Sequence, residues 1–186
     1  MNPPSLIEHI QTAKKGSERG QEWLYKHLYG YGVGIAKNYL GSQDIAIFAY
    51  NEAMYKTLTH LEDFDVTGNF RTWFRKILMR TLIDIYRKEV RHKADDIDVV
   101  YDLSYDNGVE SELHAEDIMA MLEQVSISYR MVFLMHVVDG YTLKDIAARL
   151  DITEGGVKTL YYKARQKMRE ILNKNGYNYE STSNKK

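Results

Sequence analysis

Residues 142–169 read TLKDIAARLDITEGGVKTLYYKARQKMR, two short amphipathic helical patterns separated by three residues. In the first, Leu143, Ile146, Ala147 and Leu150 form an apolar stripe at helical spacing. Thr142 and Asp145 make a Thr-x-x-Asp pair of the capping-box kind, so the helix is expected to open there. Asp151-Ile152-Thr153 turns the chain, with Ile152 placed to plug the angle between the helices and Thr153 able to cap the second. In that second helix Val157, Leu160, Tyr161, Ala164, Met168 and Ile171 keep the period, to about Asn173. Small residues at Ala147 and Ala148 permit close approach of the crossing helix. A three-residue turn between such helices is the helix-turn-helix pattern. The face left over carries Lys158, Thr159, Tyr162, Arg165, Gln166 and Arg169, behind a slim first turn, Glu154-Gly155-Gly156. A helix fits the major groove, and an outer face of donors can address base edges and phosphates. Unpaired N–H groups at its N-terminus favour an anion. A plain helical hairpin with a solvated basic face shares part of this pattern. Turn length, buried stripe and basic outer face together favour DNA binding.

Upstream, Glu112–Val125 and Ser128–Val138 read as two more helices, the second capped by Ser128 or Ser126 and ended by Asp139-Gly140. Four helices with no strand candidate make residues 112–175 a compact all-helical domain, followed by a polar tail at 176–186. Residues 93–111 read as an acidic linker. Their core, ADDIDVVYDLSYDNG, has no helical period, although Ile97, Val99, Val100, Tyr101 and Leu103 are too apolar for a purely solvated tether. Residues 1–92 read as a first helical domain. Ser17–Tyr39 is a helix weakened by Gly30, Gly32 and Gly34, and Ile45–Leu61 is a second with Ala49, Ala53, Leu58 and Leu61 inward. Asn69–Arg91 is the strongest pattern: Phe70, Trp73, Ile77, Leu78, Thr81, Leu82 and Ile85 lie on one face, and Arg80, Asp84, Arg87, Lys88 and Arg91 on the other.

The net charge of −1 across 186 residues conceals a strong pattern. Residues 71–93 hold eight Lys and Arg against two acids; residues 94–117 hold nine acids and no Lys or Arg; residues 144–169 hold seven bases against three acids. Two basic blocks flank an acidic one. The first belongs to the helix after the loop LEDFDVTGNF, where Phe64, Phe70 and Trp73 sit without a basic neighbour inside the loop. Arg71, Arg75, Lys76, Arg80, Arg87 and Lys88 would then clamp phosphate, and the loop could admit a flipped base. The competing reading makes Trp73 an ordinary core residue.

Other functions lack their residues. There is no cysteine, so no disulfide frame, thiolate zinc site or cysteine nucleophile is available. His9, His27, His60, His92, His114 and His136 are scattered, with no HxxxH or HExxH spacing, and Asp95, Asp96 and Asp98 lack the rest of a calcium loop. No phosphate-binding glycine motif occurs, so neither a cofactor nor catalysis is expected. With 44% hydrophobic residues the chain can build real cores, yet no apolar run approaches the roughly 18 residues that span a membrane. No signal peptide is read at the N-terminus, and the expected location is cytoplasmic.

With these blocks in order, the chain resembles the bacterial sigma-70 family, and within it the small two-domain extracytoplasmic-function sigma factors. The matching stretches are EWLYKHLYGYGVGIAKNYL, YNEAMYKTLTHLEDFD and GNFRTWFRKILMRTLIDIYRK, then YRMVFLMHVVDGYTLKDIAARLDITEGGVKTLYYKARQKMREIL. The resemblance implies an all-α protein of two small helical domains joined by the acidic linker, the second a four-helix helix-turn-helix domain. It implies that the first domain binds core RNA polymerase through Asp44, Asn51, Glu52, Met54 and Tyr55. It also implies that this domain engages and melts the −10 element of promoter DNA through Phe64, Asn69, Phe70, Arg71, Trp73, Arg80, Asp84, Arg87 and Lys88, with the loop 61–70 receiving a flipped base. The −35 element would fall to Thr142, Thr153, Glu154, Gly155, Lys158, Thr159, Tyr162, Lys163 and Arg165. Two departures stand out: Ile47 and Phe48 replace a usual acidic pair, and Leu160 replaces an arginine of the recognition helix. Extra apolar residues on the first helices are compatible with an anti-sigma factor as a further partner; membrane insertion is not implied. A stand-alone helix-turn-helix regulator, or a sigma-like protein binding only protein, would not need both Asn51–Tyr55 and Gly68–Lys88.

Overall fold

The computed structural model describes residues 4–90 and 121–174. The chain divides into two compact units, Met1–Glu89 and Val90–Lys186. All regular structure among the described residues is helical. The expected linker at 93–111 and tail at 176–186 lie outside those residues.

The first unit starts with a helix that periodicity had not flagged, α1 (Pro4–Lys14), on which Leu6, Ile10 and Ala13 are buried at spacings of four and three. Gly16, at φ +81, ends the connection to α2 (Glu18–Leu40), whose N-cap Ser17 accepts from the Gly20 amide. Gly20 is a close-approach position: a Cβ there would lie 2.7 Å from the Ala13 backbone nitrogen. Trp23 of α2 is stacked between His9 of α1 and His27, with centroid separations of 4.0 and 4.5 Å. Partial burial, then the charges of Arg71 and His9, hold the His27 imidazole below its ordinary pKa.

The three glycines expected to weaken α2 divide in role. Gly30 and Gly34 face open space, whereas Gly32 lies against the Tyr50 and Phe74 rings. Tyr50 belongs to α3 (Gln43–Thr59), which packs on both α2 and α4 (Phe70–Ile85). Packed on two sides, α3 buries Ala46, Ala49, Tyr50, Ala53, Met54 and Thr57. Leu58, expected inward, is only half-buried, and Leu61 is buried in a 3₁₀ turn, Leu61–Asp63. On α4 the core line is Phe70, Phe74, Leu78, Leu82 and Ile85, while the expected Trp73 and Ile77 sit half-buried on its flank. The helix continues as a π turn, Tyr86–Val90. Its extra residue per turn breaks the period, and Arg87 is half-buried instead of sharing the exposure of Arg80, Asp84 and Lys88. Arg91 lies outside the described residues.

In the second unit, Met121, Leu122 and Val125 are buried ahead of α5 (Ile127–Val137). Its cap is Ser126, which accepts from the Tyr129 amide, whereas Ser128 faces the core. Gly140, at φ +74, and a bond from the Tyr141 amide to the Met135 carbonyl (3.0 Å) close its end. Thr142 caps α6 (Leu143–Leu150), accepting from the Asp145 amide at 3.1 Å and donating to the Asp145 carboxylate at 2.6 Å. Asp151 takes the left-handed conformation at φ 55, and residues 151–153 turn the chain into α7 (Glu154–Lys174). Thr153 accepts from the Gly156 amide at 3.0 Å, as its sequence position predicts. Ala147 is buried, but Ala148 is exposed and does not serve the crossing. No helix among the described residues is long and apolar enough to cross a membrane.

Candidate nucleic-acid interface

The buried line of α4 fixes what remains outside. Arg71, Lys76 and Arg80 are exposed and Arg75 is partly so; Lys76 and Arg80, four residues apart, share one side of the helix, and Arg71 stands at its first turn. Arg71 lies over the Tyr31 ring at 5.5 Å, which orients it without neutralising it. Asp84 is also exposed, but it forms an ion pair with Lys56 of α3 at 3.6 Å. It therefore ties α4 to α3 and offsets a positive neighbour.

The loop ahead of α4 is built from an aromatic cluster. Phe64 is edge-on to Phe70 at 5.1 Å and tilted against Trp73 at 5.2 Å, and Phe70 stacks on Trp73 at 5.8 Å. Phe64 and Phe70 are buried, so neither offers a ring to a base; they are the floor. The expected direct role for those two is corrected on that ground. Trp73 is the cluster member with an accessible flank. Asn69 caps α4, its Oδ1 accepting from the Thr72 amide at 3.0 Å and hydroxyl at 3.2 Å. Asp65 accepts from the Thr67 amide at 2.9 Å, and hydrogen bonds from Thr67 hold its carboxyl below the usual range.

On α3 the unburied face is an apolar and acidic strip. Ile45, Phe48, Glu52 and Tyr55 follow helical spacing, with Tyr55 70% and Phe48 53% exposed. Asp44 and Asn51 lie on exposed positions too, Asn51 accepting from the Tyr25 hydroxyl at 2.8 Å. Met54 does not belong with them. It is 1% exposed, wedged in the core between helices, and cannot meet a partner without unfolding. Sequence reasoning missed Ile45 on this strip and noted Phe48 only as a departure from a usual acidic pair. Their signal was large apolar side chains one position off the Ala46, Ala49 and Ala53 stripe.

On α7, Lys158, Tyr162 and Gln166 are exposed at i, i+4 and i+8, while Lys163, Arg165 and Arg169 are half-buried alongside. Lys158 pairs with Glu154 at 2.9 Å, and Gln166 donates to the Tyr162 hydroxyl at 2.9 Å. Arg165 stands over the Tyr161 ring at 6.0 Å. Thr159, expected on this face, is 6% exposed, and its hydroxyl donates to the Gly155 carbonyl at 3.0 Å. It belongs to the core side because Val157, Leu160 and Ala164 pull the buried stripe across its position. Thr142 and Thr153 spend their hydroxyls on caps. Tyr161 is half-buried, edge-on to His136 at 4.8 Å; His136 Nδ1 and the Tyr141 carbonyl are 2.7 Å apart. At Gly155 a side chain would meet nothing, so the first turn of α7 is open to an approaching group.

Two unrelated-looking helical units, each with an exposed basic face, are matched by two parts of one family. The model described as "Sigma-70 region 2" matches residues 24–92, and that described as "Sigma-70, region 4" matches residues 115–168. The chain belongs to the sigma-70 family. Within that family it is an extracytoplasmic-function factor. It is similar to the RNA polymerase sigma factor SigV of Bacillus subtilis, 29% identical over 140 residues that cover 75% of this chain and 83% of that one. It is also similar to the extracytoplasmic-function factor SigW of Bacillus subtilis, 26% identical over 90% of this chain and 96% of that one. Among solved structures, CnrH in complex with the cytosolic domain of CnrY aligns at 18% identity, covering 90% of this chain and 97% of that chain, with a TM-score of 0.46.

Proposed function

We propose that the chain directs RNA polymerase to promoters as a specificity subunit, a non-catalytic role carried out in the cytoplasm. In this reading residues 1–92 bind core polymerase and the −10 element, residues 93–111 are an acidic connector, and 176–186 are a polar tail. Residues 112–175 form a four-helix helix-turn-helix domain for the −35 element. Core polymerase meets the outer strip of α3 at Asp44, Asn51, Glu52 and Tyr55, with Ile45 and Phe48 adding apolar area. The −10 element meets Arg71, Lys76 and Arg80 by charge and Trp73 by stacking, while Phe64, Asn69 and Phe70 shape the loop. Asp84 acts as the structural partner of Lys56, and Arg87 and Lys88 extend the basic side. The −35 element meets Lys158, Tyr162, Lys163 and Arg165, with Glu154 and Gly155 at the helix start. Thr142, Thr153 and Thr159 hold the scaffold.

The observation that carries this reading is the presence of both sigma-70 regions in one chain, in order, each with an accessible basic helix face. Phosphate neutralisation supplies affinity and the outer side chains supply selection. An anti-sigma factor is the further partner we assign. The exposed Phe48 and Tyr55 make the α3 strip apolar enough to be covered by a protein that competes with polymerase. Run-off transcription with purified core enzyme on a promoter library tests the function. Enrichment of one −35 and −10 pair is expected. No transcript above core enzyme alone, from a folded chain, refutes it.

A further inference from the structure

The end of the N-terminal helix reaches the loop between α3 and α4. Lys14, the last residue of α1, donates from Nζ to the Phe64 carbonyl at 2.7 Å and to the Glu62 carbonyl at 3.2 Å. Roughly fifty residues of chain are bridged by one side chain. Its position is over-determined. Gly16 stops the helix two residues later in a left-handed conformation. Gly20 lets the α1 terminus lie against α2, since any Cβ there would collide with Ala13 and Thr12 at 2.7 Å.

The two carbonyls sit where the loop begins. Phe64 carries one of them, and its ring is the buried floor under Phe70 and Trp73. The bond holds the Phe64 backbone at the start of the loop, and the ring carried by that backbone packs against Trp73 at 5.2 Å. Asp65 follows directly and turns the chain through Thr67 and Gly68. A cation beside Asp65 also favours that carboxylate. If the ammonium left for a phosphate, it would break two bonds, the exposed one to Glu62 and the partly buried one to Phe64, and the second is the one that water replaces less readily.

On the reading of residues 61–70 as the receiver of a −10 base, we propose that Lys14 is a positioning residue for that loop, shaping the base-receiving surface without touching DNA. The N-terminal helix is then part of −10 recognition, although it carries no contact of its own.

The test uses holoenzyme assembled from core polymerase and the full chain, unaltered or carrying Lys14→Met or Lys14→Arg. The rate of open-complex formation is measured on a promoter and on templates with each −10 position in turn made abasic. Lys14→Met is expected to slow the intact promoter about tenfold, the scale of losing charge-assisted bonds that hold a loop. Lys14→Arg keeps charged donors and restores most of the rate. At the abasic position where the unaltered chain is itself slowed, Lys14→Met should add no further defect. Equal slowing on every template would mean a merely structural role and would overturn the proposal, as would an unchanged rate on the intact promoter. A fall of about 0.9 in the salt slope would instead make Lys14 a phosphate contact, and that also overturns it. Indifference of the unaltered chain to every abasic position would overturn the reading of the loop and the proposal with it, and this result is visible without any variant.

Discussion

Alanine at Gly32 should destabilise the first unit even though alanine is the better helix former. The added Cβ would lie 2.5 and 2.7 Å from two carbons of the Tyr50 ring and 3.1 Å from Phe74. That ring cannot yield easily. Its hydroxyl donates to the Tyr25 carbonyl, and it is edge-on to Tyr25, Tyr29 and Phe74 at 5.2, 5.3 and 6.1 Å. Removing a mid-helix glycine gains about 1 kcal/mol. Overpacking a filled core costs about 1–3 kcal/mol. Because the overlap is with mid-ring atoms held on several sides, the upper part of that range applies, leaving a net loss of about 1–2 kcal/mol. Gly30→Ala and Gly34→Ala meet nothing and should each stabilise by about 0.5–1 kcal/mol. Both tryptophans of the chain, Trp23 and Trp73, lie in the first unit, so their fluorescence in urea reports its unfolding alone. The prediction is a lower midpoint for Gly32→Ala and higher midpoints for the other two. If all three alanines stabilise alike, the claim that Gly32 marks a required close approach is wrong.

Glu52→Arg should weaken capture by core polymerase roughly tenfold or more with an unchanged circular dichroism spectrum, because its exposed side chain supports no core contact; undiminished pull-down would place the polymerase contact elsewhere. Lys158→Ala should lower transcription about tenfold on a promoter with an intact −35 element and little on a scrambled one, whereas Thr159→Val should cost about 1 kcal/mol of stability without changing −35 preference, its hydroxyl being buried on Gly155. The Asp145 carboxyl is held below the ordinary value of 3.8, first by the Thr142 hydroxyl, so its contribution is present above that value and drains as pH falls through the lowered one. Thr142→Ala should therefore flatten the acid limb of thermal stability followed by circular dichroism, and an unchanged limb would count against the cap.

Local signals were enough for the helices that terminate by side-chain chemistry. Thr142 with Asp145, and Thr153 ahead of Gly156, cap where their sequence positions predict, because a cap bond spans only three residues and needs no distant partner. The apolar stripe of α7 was legible for the same reason, since Val157, Leu160, Ala164, Met168 and Ile171 repeat at the helical period. Ser126 and Ser128 could not be told apart this way. Both can cap, and only the burial of Ser128 decides.

The amino-acid sequence by itself therefore determined an all-helical chain, two basic blocks and the family to which they belong. It could not rank the faces of a helix packed on two sides. On α3 apolar side chains occur all round, and contact with both α2 and α4 buries Tyr50 and Met54 while leaving Phe48 and Tyr55 outside. Phe64 and Phe70 look like base-stacking rings until tertiary packing turns them into the floor beneath Trp73. Gly32 reads as a helix weakness until Tyr50 arrives beside it. The bond from Lys14 to the Phe64 carbonyl joins residues fifty positions apart. Periodicity reports which residues share a face; which face is covered, and by what, depends on partners that only the folded chain brings together.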